Sequence, residues 1–140
     1  MTSSELDNLV KVGTLKREPP RADEIAGLRR SGDARLTDAE KRTLSIESRF
    51  DLAYNAAHAF ALAALRRLGY RPANRYVVFQ ALPHTLGLSA PVWRVLAKGH
   101  ASRNIAEYEG AIEVDERLTQ DIIAAAKAVQ KALDAAMGEG

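Results

Sequence analysis

The stretch from Gly99 to Gly110 carries the side chains best suited to chemistry: His100, Arg103, Asn104, Glu107 and Tyr108. Arg103 is always charged, and its planar guanidinium can grip two phosphate oxygens at once. Asn104 beside it can donate a hydrogen bond or orient a partner. His100 lies three residues before Arg103, so a helix puts both on one face. An imidazole titrates near neutrality and suits a general base. A tyrosine hydroxyl ordinarily titrates near pH ~10, so Tyr108 is a poor choice of base, but it can act as an acid, a stacking surface or a donor to phosphate. Structural roles compete with each of these. Arg103 can pair with Glu107 one turn on, and Tyr108 can simply pack at a helix end.

The charge distribution points the same way. The chain has a formal net charge of +2, but residues 52–106 contain no Asp or Glu. The same span carries Arg66, Arg67, Arg71, Arg75, Arg94, Lys98 and Arg103, and all three histidines. Those are 7 of the 20 bases; the other 13 share the ends with all 18 acids. A segment of this kind can present one basic face to an anion, with Arg75, Arg94, Lys98 and Arg103 as phosphate-binding candidates. The alternative is that its cations scatter over several helices and never meet.

Other chemistries find no support. There is no cysteine, hence no thiolate metal site and no cysteine nucleophile. His58, His84 and His100 are too far apart for a metal motif. His58 reads as packed in an alanine-rich helix, and His84 as structural or exposed. No glycine-rich phosphate loop and no carboxylate pair stands out, so neither metal nor cofactor is expected. Trp93 and Phe79 read as core. No apolar run approaches the ~18 residues of a membrane span, and the first residues lack a secretory pattern. The expectation is a cytoplasmic protein with no membrane role.

The elements that position these residues read as helices. Hydrophobic residues make up 46% and charged residues 27%, enough for a globular core, and alanine is abundant. Residues 4–16 suggest a short helix on Leu6, Leu9, Val10 and Leu15, ended by Glu18-Pro19-Pro20. Residues 21–31 suggest a second, broken at Ser31-Gly32-Asp33. Thr37-Asp38-Ala39-Glu40 has the form of a capping box, which predicts a long helix from there to about Leu68. Phe50, Ala53, Ala57, Phe60, Ala64 and Leu68 form its buried face, and Gly69 stops it. Asn74 can cap a short helix to about Ala81, with an exit or kink at Leu82-Pro83 and a turn at Thr85 to Leu88. Ser89 can cap a helix to about Glu107. A last helix over about 115–136 has Leu118, Ile122, Ala126, Val129, Leu133 and Ala136 on one stripe. No segment alternates, so no sheet is predicted. The expected fold is all-α and a single domain overall: an up-and-down helical bundle over residues 37–140, preceded by a helical N-terminal extension over 1–36.

Arg103-Asn104, placed late in such a bundle before a final helix, resembles the signature of HEPN domains. There an arginine, commonly followed by asparagine, precedes a histidine after four to six residues. The upstream helix with Phe50 to Ala57, closing in Leu68-Gly69-Tyr70, fits the same layout. The resemblance covers roughly residues 37–136. It implies a small, usually dimeric bundle with the two signature arginines facing each other across the dimer cleft. Members include metal-independent ribonucleases, toxins paired with nucleotidyltransferase antitoxins, and noncatalytic RNA- or nucleotide-binding modules. The sequence departs at one place: with four residues intervening after Arg103 the chain reaches Tyr108, and no histidine follows. Three readings result. One is an RNA- or nucleotide-binding homodimer. Another is an endoribonuclease toxin using Arg103 with Tyr108 or His100. The last is a protein-interaction module.

Overall fold

The computed structural model describes residues 4–109 and 116–138, with residues 103–109 as backbone only. Among the described residues the chain forms seven helices and one two-stranded sheet. The helices are α1 (Ser4–Lys11), α2 (Ala22–Ala39), α3 (Ile46–Arg67), α4 (Val77–Gln80), α5 (Leu82–Thr85), α6 (Ala90–Glu109) and α7 (Glu116–Ala136). The strands are β1 (Leu15–Arg17) and β2 (Tyr70–Pro72). The chain is an all-α helical bundle, as its periodicity implies.

The central element is α3. Its alanines at 53, 56, 57, 61, 63 and 64 are all fully buried. Small side chains there let α2 and α7 approach closely, and α3 packs on both. Phe50, Tyr54, Phe60 and Leu65 fill the space between them. From α7, Ile122, Ala126, Val129 and Leu133 enter the same core, while Ala136, assigned to that stripe from the sequence, is exposed.

Helix α2 corrects the expected break at Ser31-Gly32-Asp33. It runs unbroken for 18 residues because Gly32 is where Phe60 of α3 seats. A Cβ at position 32 would lie 2.5 Å from Phe60 Cε1. A glycine chosen for close packing looks, in sequence, like a glycine chosen to break a helix. The capping box at Thr37 to Glu40 is corrected too. Thr37 belongs to the last turn of α2, and the Glu40 amide donates to the Thr37 carbonyl at 3.3 Å. The N-cap of α3 is Ser45, whose Oγ accepts from the Ser48 amide at 3.1 Å.

The prediction of no sheet is also corrected. β1 and β2 pair antiparallel over three residues, with Lys16 opposite Arg71. A ladder this short shows no alternation for the sequence to reveal. After α3, Gly69 (φ +88°) turns the chain into β2, a left-handed conformation that favours glycine. Residues 4–36 pack into the same core as the rest of the chain. Leu6, Leu15, Ile25 and Leu36 belong to the one hydrophobic core, and a division at 36/37 cuts through α2.

The loop after β2 carries Asn74, whose Oδ1 accepts from the Val77 amide at 3.2 Å and so caps the turn leading into α4, while the N-cap position of the helix itself is Tyr76. At Leu82-Pro83 the chain leaves α4, as expected, and enters the short helix α5, whose first turn tolerates the proline. Gly87 (φ +67°) makes the expected turn before α6.

Candidate functional site

Three of the seven bases in the acid-free segment are structural. Arg66 is 0% exposed, and all three of its guanidinium nitrogens are engaged. Nε donates to Glu24 Oε1 at 2.8 Å, Nη1 to the Glu18 and Tyr70 carbonyls at 3.0 and 3.2 Å, and Nη2 to the Pro19 carbonyl at 2.8 Å. Arg71 donates from Nε to Glu18 at 2.7 Å and from Nη2 to Glu24 at 2.8 Å. Hydrogen bonding from Arg71 holds both carboxyls below the ordinary glutamate range. Arg67 donates to the Thr85 carbonyl at 3.1 Å. The segregation of charge along the chain is thus partly cancelled in space, because acids of the first 24 residues fold onto the bases of α3 and β2.

The remaining bases are Arg75, Arg94, Lys98 and Arg103. Arg75 leaves the β2–α4 loop with its side chain exposed, and its Nη2 donates to Asn55 Oδ1 at 3.2 Å. Its guanidinium carbon lies 6.0 Å from the centre of the Tyr54 ring. The Tyr54 ring is buried, and its Oη shares a 2.8 Å hydrogen bond with His100 Nδ1. The direction of that bond follows the imidazole tautomer. Tyr76 also meets His100, with ring centroids 5.1 Å apart. Arg75, Tyr76 and His100, with Asn74, Ala97 and Ala101, line a pocket of about 560 Å3. That is within the range of small-molecule sites.

The backbone explains this convergence. His100 follows Gly99, which is buried against Ile122 of α7. That contact fixes α6 so that position 100 faces the α4 side. The Asn74 cap holds the loop that supplies Arg75 and Tyr76. The result is a cation, one tyrosine ring and an imidazole held by the buried Tyr54 around one opening. Such a set can bind a phosphate by charge and stack a planar base.

Of the sequence candidates, the structure brings Arg75 and His100 together. Arg94 and Lys98 are exposed on α6 outside the pocket wall, one turn apart on the helix face that continues to Ala101. Arg103, Asn104 and Tyr108 lie in the backbone of α6, and their side chains fall outside the described residues. His58 is half-buried with its ring edge-on to Phe79, and Phe79 is fully buried. His84 is exposed. Sequence reasoning missed Tyr76 and the part Tyr54 plays. The run Asn74-Arg75-Tyr76, an amide, a cation and an aromatic on one loop, was the available signal.

A second polar pocket, of about 320 Å3, lies where Glu40 and Arg49 meet α7. Its cations are largely matched from within: Lys127 pairs with Glu40 at 2.9 Å, and Arg49 donates to the Ala39 carbonyl at 2.8 Å. Among the described residues no helix is long and apolar enough to cross a membrane. No protein-family model matches the chain, and no curated protein or solved structure shows significant similarity to it.

Proposed function

We propose that the chain is a HEPN-like bundle that binds RNA or a nucleotide in the pocket between the β2–α4 loop and α6. The observation that carries this reading is the meeting of Arg75, Tyr76 and His100 around one opening, with His100 held by Tyr54. The exposed Arg94 and Lys98 extend positive charge along α6 beside it. The homodimer and a nucleotidyltransferase-type antitoxin partner belong to this proposal through the family resemblance alone.

The test is equilibrium binding of a single-stranded oligoribonucleotide to the wild type and to Arg75→Ala. A charged hydrogen bond of ~1.5–3 kcal/mol predicts a loss of about tenfold or more. Affinity should also fall steeply with added salt. Unchanged affinity in Arg75→Ala and in His100→Ala would remove the pocket from consideration.

The oriented imidazole supports a second reading, a metal-independent endoribonuclease with His100 as the base and Arg103 or Arg75 on the phosphate. Tyr108 is the other candidate for proton transfer, as an acid. Cleavage of a mixed-sequence RNA in EDTA by the wild type, lost in His100→Ala and Arg103→Ala, is the outcome this reading requires. Intact RNA with all three proteins leaves binding alone.

A further inference from the structure

Beside the first pocket lies another of about 230 Å3, walled by His58, Leu62, Arg71 and Pro72. Asn74 and Arg75 line both. The two therefore adjoin along Asn74 and Arg75 as halves of one groove, with Arg75 on the wall of each. Each half offers a flat unsaturated face. In the first it is the Tyr76–His100 pair. In the second it is the His58 imidazole, set at 83° to the Phe79 ring 6.1 Å away, with Leu62 and Pro72 as apolar walls. Between them stands an exposed guanidinium, tied to Asn55. A planar fork of this kind fits the two free oxygens of a phosphodiester. The order across the groove is flat face, cation, flat face. That matches base, phosphate, base, which a mononucleotide does not supply. It also excludes paired strands, whose bases stay stacked inside the duplex.

Resting on the binding reading above, we infer that the groove takes a two-nucleotide step of single-stranded RNA. The phosphodiester lies on Arg75 and one base sits in each half. His58, which the first pocket does not touch, then becomes a second base-contacting residue.

The experiment is calorimetric titration of the full chain with adenylyl-3′,5′-adenosine and, separately, with adenosine 5′-monophosphate. A base stacked in the second half should make the dinucleotide bind at least about tenfold tighter than the mononucleotide. His58→Ala should bring the dinucleotide to within about twofold of the mononucleotide and leave the mononucleotide unchanged. The mononucleotide affinity of the variant reports that the first half is intact, and the wild-type comparison needs no variant. Equal affinities in the wild type, or a dinucleotide affinity indifferent to His58→Ala, overturn the two-nucleotide inference while leaving the binding reading standing. Failure of both probes to bind overturns both.

Discussion

At the scale of the residue, two buried glycines separate what a helix prefers from what a core permits. A Cβ at position 32 would lie within 3 Å of three ring atoms of Phe60, which is 1% exposed. An aromatic ring wedged among buried alanines has nowhere to swing. Gly32→Ala should therefore destabilise the fold by about 1–3 kcal/mol from overpacking, more than the ~1 kcal/mol gained in helix propensity. Gly99 differs in kind. The atom its Cβ would meet at 2.6 Å is Ile122 Cδ1, the end of a side chain that can rotate, and the next is at 3.5 Å. Gly99→Ala should lie near neutral, within ~1 kcal/mol, since the rotation offsets much of the clash and alanine favours the helix. Thermal melts of the two variants beside the wild type check the contrast. Equal losses would mean that Phe60 yields as readily as Ile122.

At the scale of the element, the α2–α3 junction shows how two sequence signals of the same type compete. Thr37 looks like a cap in sequence, yet it is Ser45 that starts the helix. The capping-box pattern at Thr37 is better formed in sequence, because Glu40 stands three residues on. It loses because Leu36 and Ala39 are buried in the α2 packing surface, which carries the helix past the signal. Ser45→Ala should cost about 1 kcal/mol, the ordinary value of an N-cap hydrogen bond. Thr37→Ala should cost less than ~0.5 kcal/mol, since the side chain is exposed near a helix end. Denaturant midpoints for both variants decide the register of the junction. A larger loss at Thr37 would contradict the helix boundaries described above.

At the scale of the whole molecule, ion pairs join the first third of the chain to the rest. Glu18 and Glu24 bind Arg66 and Arg71. Asp7 accepts from the Tyr70 hydroxyl at 2.9 Å and from Arg17, and those bonds lower its carboxyl too. All three carboxyls titrate lower in the folded chain than in the unfolded one. Their contribution is therefore complete above the ordinary glutamate value of 4.5 and is lost as pH falls below it. The melting temperature should drop on acidification from pH ~6 to ~3. Glu24→Gln should lower it at neutral pH, because buried Arg66 loses the nearer of its two carboxylates and keeps only Glu18 at 3.3 Å, and should flatten the dependence on acid. A Glu24→Gln protein with the wild-type slope in acid would show that the cluster does not govern the acid response. The same contacts make α1, β1 and α2 part of the bundle rather than an appendage to it.

The helical class, the long buried face of α3, the stripe of α7 from Leu118 to Leu133 and the Asn74 cap were all legible in the sequence. They depend on spacing within one segment, and 3.6-residue periodicity is written locally. The sequence also singled out Arg75 and His100, since cations and imidazoles announce their chemistry by type. What only the tertiary structure decided is long-range. It withdrew Arg66, Arg67 and Arg71 from the basic segment by pairing them with Glu18, Glu24 and backbone carbonyls far away in the chain. It turned Gly32 from an apparent break into a packing seat. It brought Tyr54, Tyr76 and His100, on three different elements, within reach of one another. Each outcome depends on which helix faces meet, and that is set by the volumes of side chains distant in sequence rather than by any local pattern.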